Sequence, residues 1–301
     1  MRTQWTGVGT ALITPFTASG ALDEAAIKRL ARRQIDAGIH FLVPCGTTGE
    51  TPTLDASERR KVVELVVAEA NGQVPVLAGA GGNSTKDVVA AAKAMQAAGA
   101  DGLLSVTPYY NKPTHEGLFQ HFSAIADATP LPIVLYNVPG RTGCNMDAAT
   151  VARLATIPTV VAVKEASGNI TQMAEICRAV PEDFLVLSGD DAITLPLMAL
   201  GGRGIISVCS NEVPAEMAQM VEAAERGDFA TARLLHHKLL PIMQVNFVES
   251  NPGPVKFAMA AMGLCEHAFR LPMVPPRQAS RDAVLAVLKD LGMPIVAGSP
   301  A

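Results

Sequence analysis

Lys164 closes an apolar run in VVAVKEASGN (160–169), and Tyr136 sits late in another, PIVLYNVP (132–139). If both runs are strands of one closed parallel sheet, they lie about 4.8 Å apart and place an amine beside a phenol. Desolvation inside such a sheet disfavours the charged form of an amine, and a neutral amine attacks a ketone. The resulting imine, once protonated, withdraws electrons and turns the adjacent carbon into an enamine nucleophile. Such chemistry needs a proton relay near the amine, and Tyr136 and Thr48 are the hydroxyls expected to supply it. Thr47 and Thr48 come from CGTTGE, Tyr109 and Tyr110 from TPYYN, and Arg141 from the loop after Tyr136. A guanidinium offers a planar fork matched to a carboxylate, so oxo acids are the expected substrates.

Each member has a plainer reading. Lys164 could pair with Glu165 or Asp190, the two tyrosines could be loop packing, and a Gly/Thr loop entering a helix is common in α/β proteins. A phosphate site, and with it a pyridoxal-phosphate lysine, is disfavoured. The run at 184–191 ends in Asp190 and Asp191, whose charges would repel a phosphate, and GGRG (201–204) precedes the next strand instead of following it. Of the two aspartates, one is expected to cap a helix rather than hold a cation.

Eight strands are expected to carry these residues, at 8–16, 41–45, 74–81, 102–108, 132–139, 160–167, 184–191 and 204–211. Between them run Ala-rich segments with apolar residues at i, i+3, i+4 and i+7, opened by Asp or Ser and closed by Gly. Continuously apolar strands alternating with such helices predict a parallel (β/α)8 TIM barrel, whose reactive residues gather at the carboxyl ends of the strands. After Gly227 the strand signal stops and only helical periodicity remains. The expected organisation is a catalytic barrel over 1–227 and a helical region over 228–301 packed on it, with no flexible linker between them.

The 301 residues are 49% hydrophobic and 17% charged, with a net charge of −4, so no electrostatic footprint for nucleic acid or anionic lipid is present. The N-terminus lacks a basic-then-apolar leader pattern, and no apolar run is long enough to span a membrane. A soluble cytoplasmic protein with small-molecule partners is expected. Five cysteines without C-x-x-C spacing are expected to be reduced. His236 and His237 are adjacent on a helix and badly placed to share a metal, so no metal is expected. The helical methionines are expected to fill the core.

CGTTGE, TPYYNKPTHEGL, LYNVPGRTG, VKEASGN, LSGDD, GGRGIISV and NPGPVK follow one another along nearly the whole chain. In that order and spacing they resemble the dihydrodipicolinate synthase family, of the pyruvate-dependent class I aldolase and N-acetylneuraminate lyase superfamily. The resemblance implies condensation of pyruvate with aspartate 4-semialdehyde, on the diaminopimelate route to lysine, without any cofactor beyond the covalent imine. It further implies that Lys164 forms that imine, and that Thr48, Tyr136 and Tyr110 make the relay. Tyr110 would reach into a neighbouring protomer's site, in a homotetramer built as a pair of tight dimers. Arg141 would hold the aldehyde's carboxylate, and Thr47, Thr48 and the backbone around Ile206 would position pyruvate. Sialate lyases and 2-keto-3-deoxy-sugar-acid aldolases share the lysine and tyrosine but generally lack the arginine. A silent oxo-acid-binding barrel is the alternative outside enzymes.

The family's lysine-inhibition pocket maps onto Thr51, Pro52, Ala56, Arg59, Asn83, Asp87 and Tyr109. Inhibited members often have Ser-Ala, His and Glu where this chain has Thr51-Pro52, Arg59 and Asp87. A cation at Arg59 repels a lysine ammonium, so weak or absent feedback inhibition is expected.

Overall fold

Eight parallel strands close around a filled interior in the computed structural model, which describes residues 2–296. They are β1 (Gly7–Ala11), β2 (Phe41–Val43), β3 (Leu77–Gly79), β4 (Gly102–Val106), β5 (Ile133–Asn137), β6 (Val160–Glu165), β7 (Leu185–Ser188) and β8 (Gly204–Ser207). Hydrogen-bonded neighbours run β2-β1-β8-β7-β6-β5-β4-β3. The ring is completed between β2 and β3 by a parallel bridge from Leu42 to Val76 and by the Leu42 amide on the Pro75 carbonyl at 3.0 Å. All eight expected strands exist as a TIM barrel, each shorter than its apolar run.

Helices α1 (Glu24–Asp36), α2 (Ala56–Ala70), α3 (Thr85–Ala97), α4 (His115–Ala128), the short α5 (Pro139–Thr142), α6 (Ala148–Leu154), α7 (Ile170–Ala179), α8 (Thr194–Ala199) and α9 (Pro214–Glu225) follow their strands. Their starts are chemically marked. Asp23 caps α1, Ser84 caps α3, Thr114 caps α4 and Asp147 caps α6, while Asp55 and Glu58 form a capping box at α2. Beyond them lie α10 (Phe229–Val245), α11 (Gly253–Ala261) and α12 (Gln278–Asp290). Met1 and residues 297–301, included in the expected 1–227 and 228–301 divisions, lie outside the described residues.

Inward side chains form one core, with Leu77, Leu104, Val134, Val161, Leu185, Leu187 and Ile206 buried inside the barrel. Its amino-terminal mouth is plugged by Trp5, which stacks edge-on against Phe41 with centroids 5.5 Å apart. Gly9 leaves room for that plug, since a Cβ there would come within 2.0 Å of the Phe41 ring. A second, larger core lies between strands and helices, where Met95, Met217, Met220 and Met262 are buried. Closed below and packed within, the barrel leaves its carboxyl mouth as the place for chemistry. No helix among the described residues is long and apolar enough to cross a membrane.

Candidate active site

Alternation along β5 and β6 decides which side chains enter the barrel. Tyr136 pairs in register with Lys164, and Asn137 with Glu165. Successive residues point to opposite faces, so Tyr136 and Lys164 share the interior and Asn137 and Glu165 share the layer behind it. Lys164 is 5% exposed, and its Nζ lies 4.4 Å from the centroid of the Tyr136 ring. An aromatic face at that distance attracts a cation, including an iminium formed on the same nitrogen. Gly189, just past β7, makes space for the lysine stem, because a Cβ there would stand 3.0 Å from Lys164 Cε and 2.6 Å from Ala166 Cβ.

Neither plain pairing of Lys164 occurs. The Glu165 carboxylate accepts from Asn137 Nδ2 at 2.8 Å and from the Ser167 amide at 2.7 Å. Asp190 caps the turn that follows β7, accepting from the Ala192 amide at 2.9 Å, as expected of one of the two aspartates. Asp191 turns inward instead and accepts from Ser207 Oγ at 2.6 Å and from the Val208 and Cys209 amides at 3.1 and 3.2 Å. Burial pushes its carboxyl above the usual carboxylate range, against the opposing pull of those donors. It ties the end of β7 to the end of β8, beside Ile206.

A cavity of about 300 Å³ opens over Tyr136, with Thr47, Tyr109, Arg141 and Thr142 in its lining. Thr47 and Thr48 lie in a tight 3-10 turn after β2, Tyr109 follows β4, and Arg141 stands in the one-turn helix after β5. Thr48 is buried, and its Oγ1 accepts from Asn251 Nδ2 at 3.0 Å. Tyr136 lines this cavity, whereas Lys164, packed against the Tyr136 ring, does not. Ile206 is fully buried in β8, paired with Gly9. Tyr110 points away: it is 89% exposed and its backbone adopts φ +72°, a left-handed conformation disfavoured for a bulky residue.

Thr51, Pro52 and Arg59 also line the cavity, and with Tyr109 they represent part of the expected lysine pocket. Ala56, Asn83 and Asp87 do not line it. Ala56 and Asp87 are exposed at the starts of α2 and α3, and the Asn83 carbonyl accepts from Asn111 Nδ2 at 2.8 Å. Arg59 Nε donates to the Leu54 carbonyl at 3.0 Å.

Sequence reasoning missed a buried pair next to the threonines. Glu50 immediately follows the Thr47–Gly49 turn, and its carboxylate accepts from Lys256 Nζ of α11, with both side chains wholly buried. Phe16 and Phe269 flank the ammonium at 4.3 and 4.9 Å. Burial pulls the Lys256 amine below the usual lysine range, and Glu50 opposes the shift. The final E of CGTTGE and final K of NPGPVK were the signals, visible as motif letters but not as partners.

Fold and site together define a (β/α)8 barrel with a buried lysine and tyrosine paired at its carboxyl mouth. The chain matches the dihydrodipicolinate synthetase family over residues 4–291. A 4-hydroxy-tetrahydrodipicolinate synthase of Koribacter versatilis is 53% identical over 288 residues, 95% of this chain and 96% of that one. Another from Pelobacter propionicus is 50% identical over 283 residues, 94% of this chain and 97% of that one. The crystal structure of dihydrodipicolinate synthase from Aquifex aeolicus superposes with a TM-score of 0.95 at 42% identity, covering 97% of this chain and all of that one. The chain belongs to the dihydrodipicolinate synthetase family, and it is an enzyme of that family.

Proposed function

We propose that this chain condenses pyruvate with L-aspartate 4-semialdehyde to give 4-hydroxy-tetrahydrodipicolinate, the first committed step of lysine and diaminopimelate biosynthesis. The observation that carries the reading is the in-register pairing of Tyr136 with a buried Lys164 that has no carboxylate partner among the described residues. Lys164 Nζ attacks the pyruvate ketone, and loss of water leaves an imine. A proton leaves the methyl carbon and the imine becomes an enamine, which forms a carbon–carbon bond to the aldehyde carbon. The aldehyde oxygen takes up a proton and becomes the 4-hydroxyl. The amino group of the second substrate then adds to the imine carbon, closes the ring and expels Lys164.

In this reading Tyr136, Thr48 and Tyr110 move the protons, and Tyr110 does so in a partner's site. Its exposure and left-handed backbone favour a role beyond its own protomer, within a homotetramer. Thr47, Thr48 and the Ile206 backbone hold pyruvate, and Arg141 on the cavity wall holds the carboxylate of the aldehyde. The imine is the electron sink, so the reaction calls for no separate cofactor. Turnover with aspartate 4-semialdehyde, compared with cleavage of sialate and 2-keto-3-deoxygluconate, tests the assignment. Preference for either sugar acid would make the chain an aldolase of the same mechanism instead.

A further inference from the structure

The segment NPGPVK (251–256) has no part in the chemistry above, yet its first residue touches two groups that do. Asn251 is 5% exposed. Its Nδ2 donates to Thr48 Oγ1 at 3.0 Å, and its backbone carbonyl accepts from Arg141 Nη2 at 3.4 Å. The last residue of the segment anchors the same loop from the other side, through the buried Lys256–Glu50 pair. The segment therefore grips the threonine turn twice and the arginine once.

A hydroxyl has one proton and two lone pairs. A donor fixed on Thr48 Oγ1 occupies a lone pair and leaves the hydroxyl proton free to point elsewhere, toward the mouth of the barrel. We propose that Asn251 is a positioning residue for the condensation: it fixes the donor direction of the Thr48 hydroxyl and steadies Arg141. A site built from strand ends is thus completed by a residue that precedes α11. The inference rests on the proposed roles of Thr48 and Arg141. An aspartate at 251 has nearly the same shape but accepts where asparagine donates, and it draws the Thr48 proton away from the relay.

The test is a double-mutant cycle on the full-length enzyme, with kcat and KM measured for Asn251→Ala, Asn251→Asp, Thr48→Val and each pairing with Thr48→Val. Thr48→Val should lower kcat by about 100-fold, as loss of a relay group does. Asn251→Ala should lower kcat by about tenfold with KM for pyruvate nearly unchanged, and should cost nothing further once Thr48 is valine. Asn251→Asp should lose more than Asn251→Ala although it is the closer isostere, an order that a purely structural role would not produce. Equal losses from Asn251→Ala or Asn251→Asp in both backgrounds would overturn the role of Asn251 and leave that of Thr48 standing. Unchanged kcat in Thr48→Val would overturn both. If Asn251→Ala fails to fold, the aspartate arm of the cycle gives the same comparison.

Discussion

Tyr136 and Lys164 face each other in register across β5 and β6, with the lysine nitrogen 4.4 Å from the centre of the tyrosine ring. One contact thereby brings together the proposed nucleophile and a hydroxyl-bearing side chain, and it depends on strand register. A one-residue slip of β6 would exchange Lys164 for Val163 or Glu165 and abolish the site.

Arg141 faces the cavity without a carboxylate partner among the described residues, so its replacement should act on one substrate. Arg141→Ala is expected to lower kcat/KM for aspartate 4-semialdehyde by about 10- to 100-fold, the scale of a lost charge-assisted bidentate contact. Imine formation with pyruvate should persist. Steady-state kinetics varying each substrate separately checks this, and an unchanged aldehyde parameter would remove the carboxylate role from Arg141.

Arg59 on the cavity wall repels an ammonium group, and Asp87 does not reach the same wall. Activity is expected to remain nearly complete in sub-millimolar L-lysine. An inhibition titration that halves the rate in that range would contradict the electrostatic reading.

Lys256 and Glu50 should be worth little as a pair and much as separate charges. Lys256→Met leaves the Glu50 carboxylate buried without its cation, keeping the Arg270 amide at 3.3 Å as a donor, and should destabilise the fold by about 3–5 kcal/mol. Adding Glu50→Gln should recover most of that loss. Urea unfolding of the single and double variants measures both, and a double variant as unstable as the single would show that packing, not charge, is at stake.

Burial holds the His121 imidazole down at about 4, below its usual range. The unfolded chain takes up a proton below about pH 6.5 that the folded chain refuses until about pH 4. Stability from this group is therefore complete above that window and falls as the pH drops through it. The melting temperature should decline by a few degrees between about pH 7 and pH 5, and His121→Leu should narrow the decline. Equal declines in both proteins would assign the acid sensitivity to other groups.

The strands were legible because strands buried on both faces read as unbroken apolar runs. Their ends were overestimated for a physical reason. After Ala11, Ile13 and Phe16 remain buried, but against α11 and the Lys256 ammonium instead of in the ladder. Burial continues where pairing has stopped, and hydropathy reads only burial. Lys164, Tyr136, Thr47, Thr48 and Arg141 could be placed at the carboxyl mouth from sequence because each closes or follows a strand run. Asn251, Glu50 and Lys256 could not, since their partners lie some two hundred positions away and only the closed fold brings them together.

Borohydride trapping followed by peptide mass spectrometry reads out whether Lys164 is the nucleophile toward pyruvate. One reduced pyruvyl adduct per chain on the peptide containing Lys164, absent from Lys164→Ala, is the predicted result. An adduct on another lysine, or none with pyruvate at saturation, would rule out Lys164 as the nucleophile.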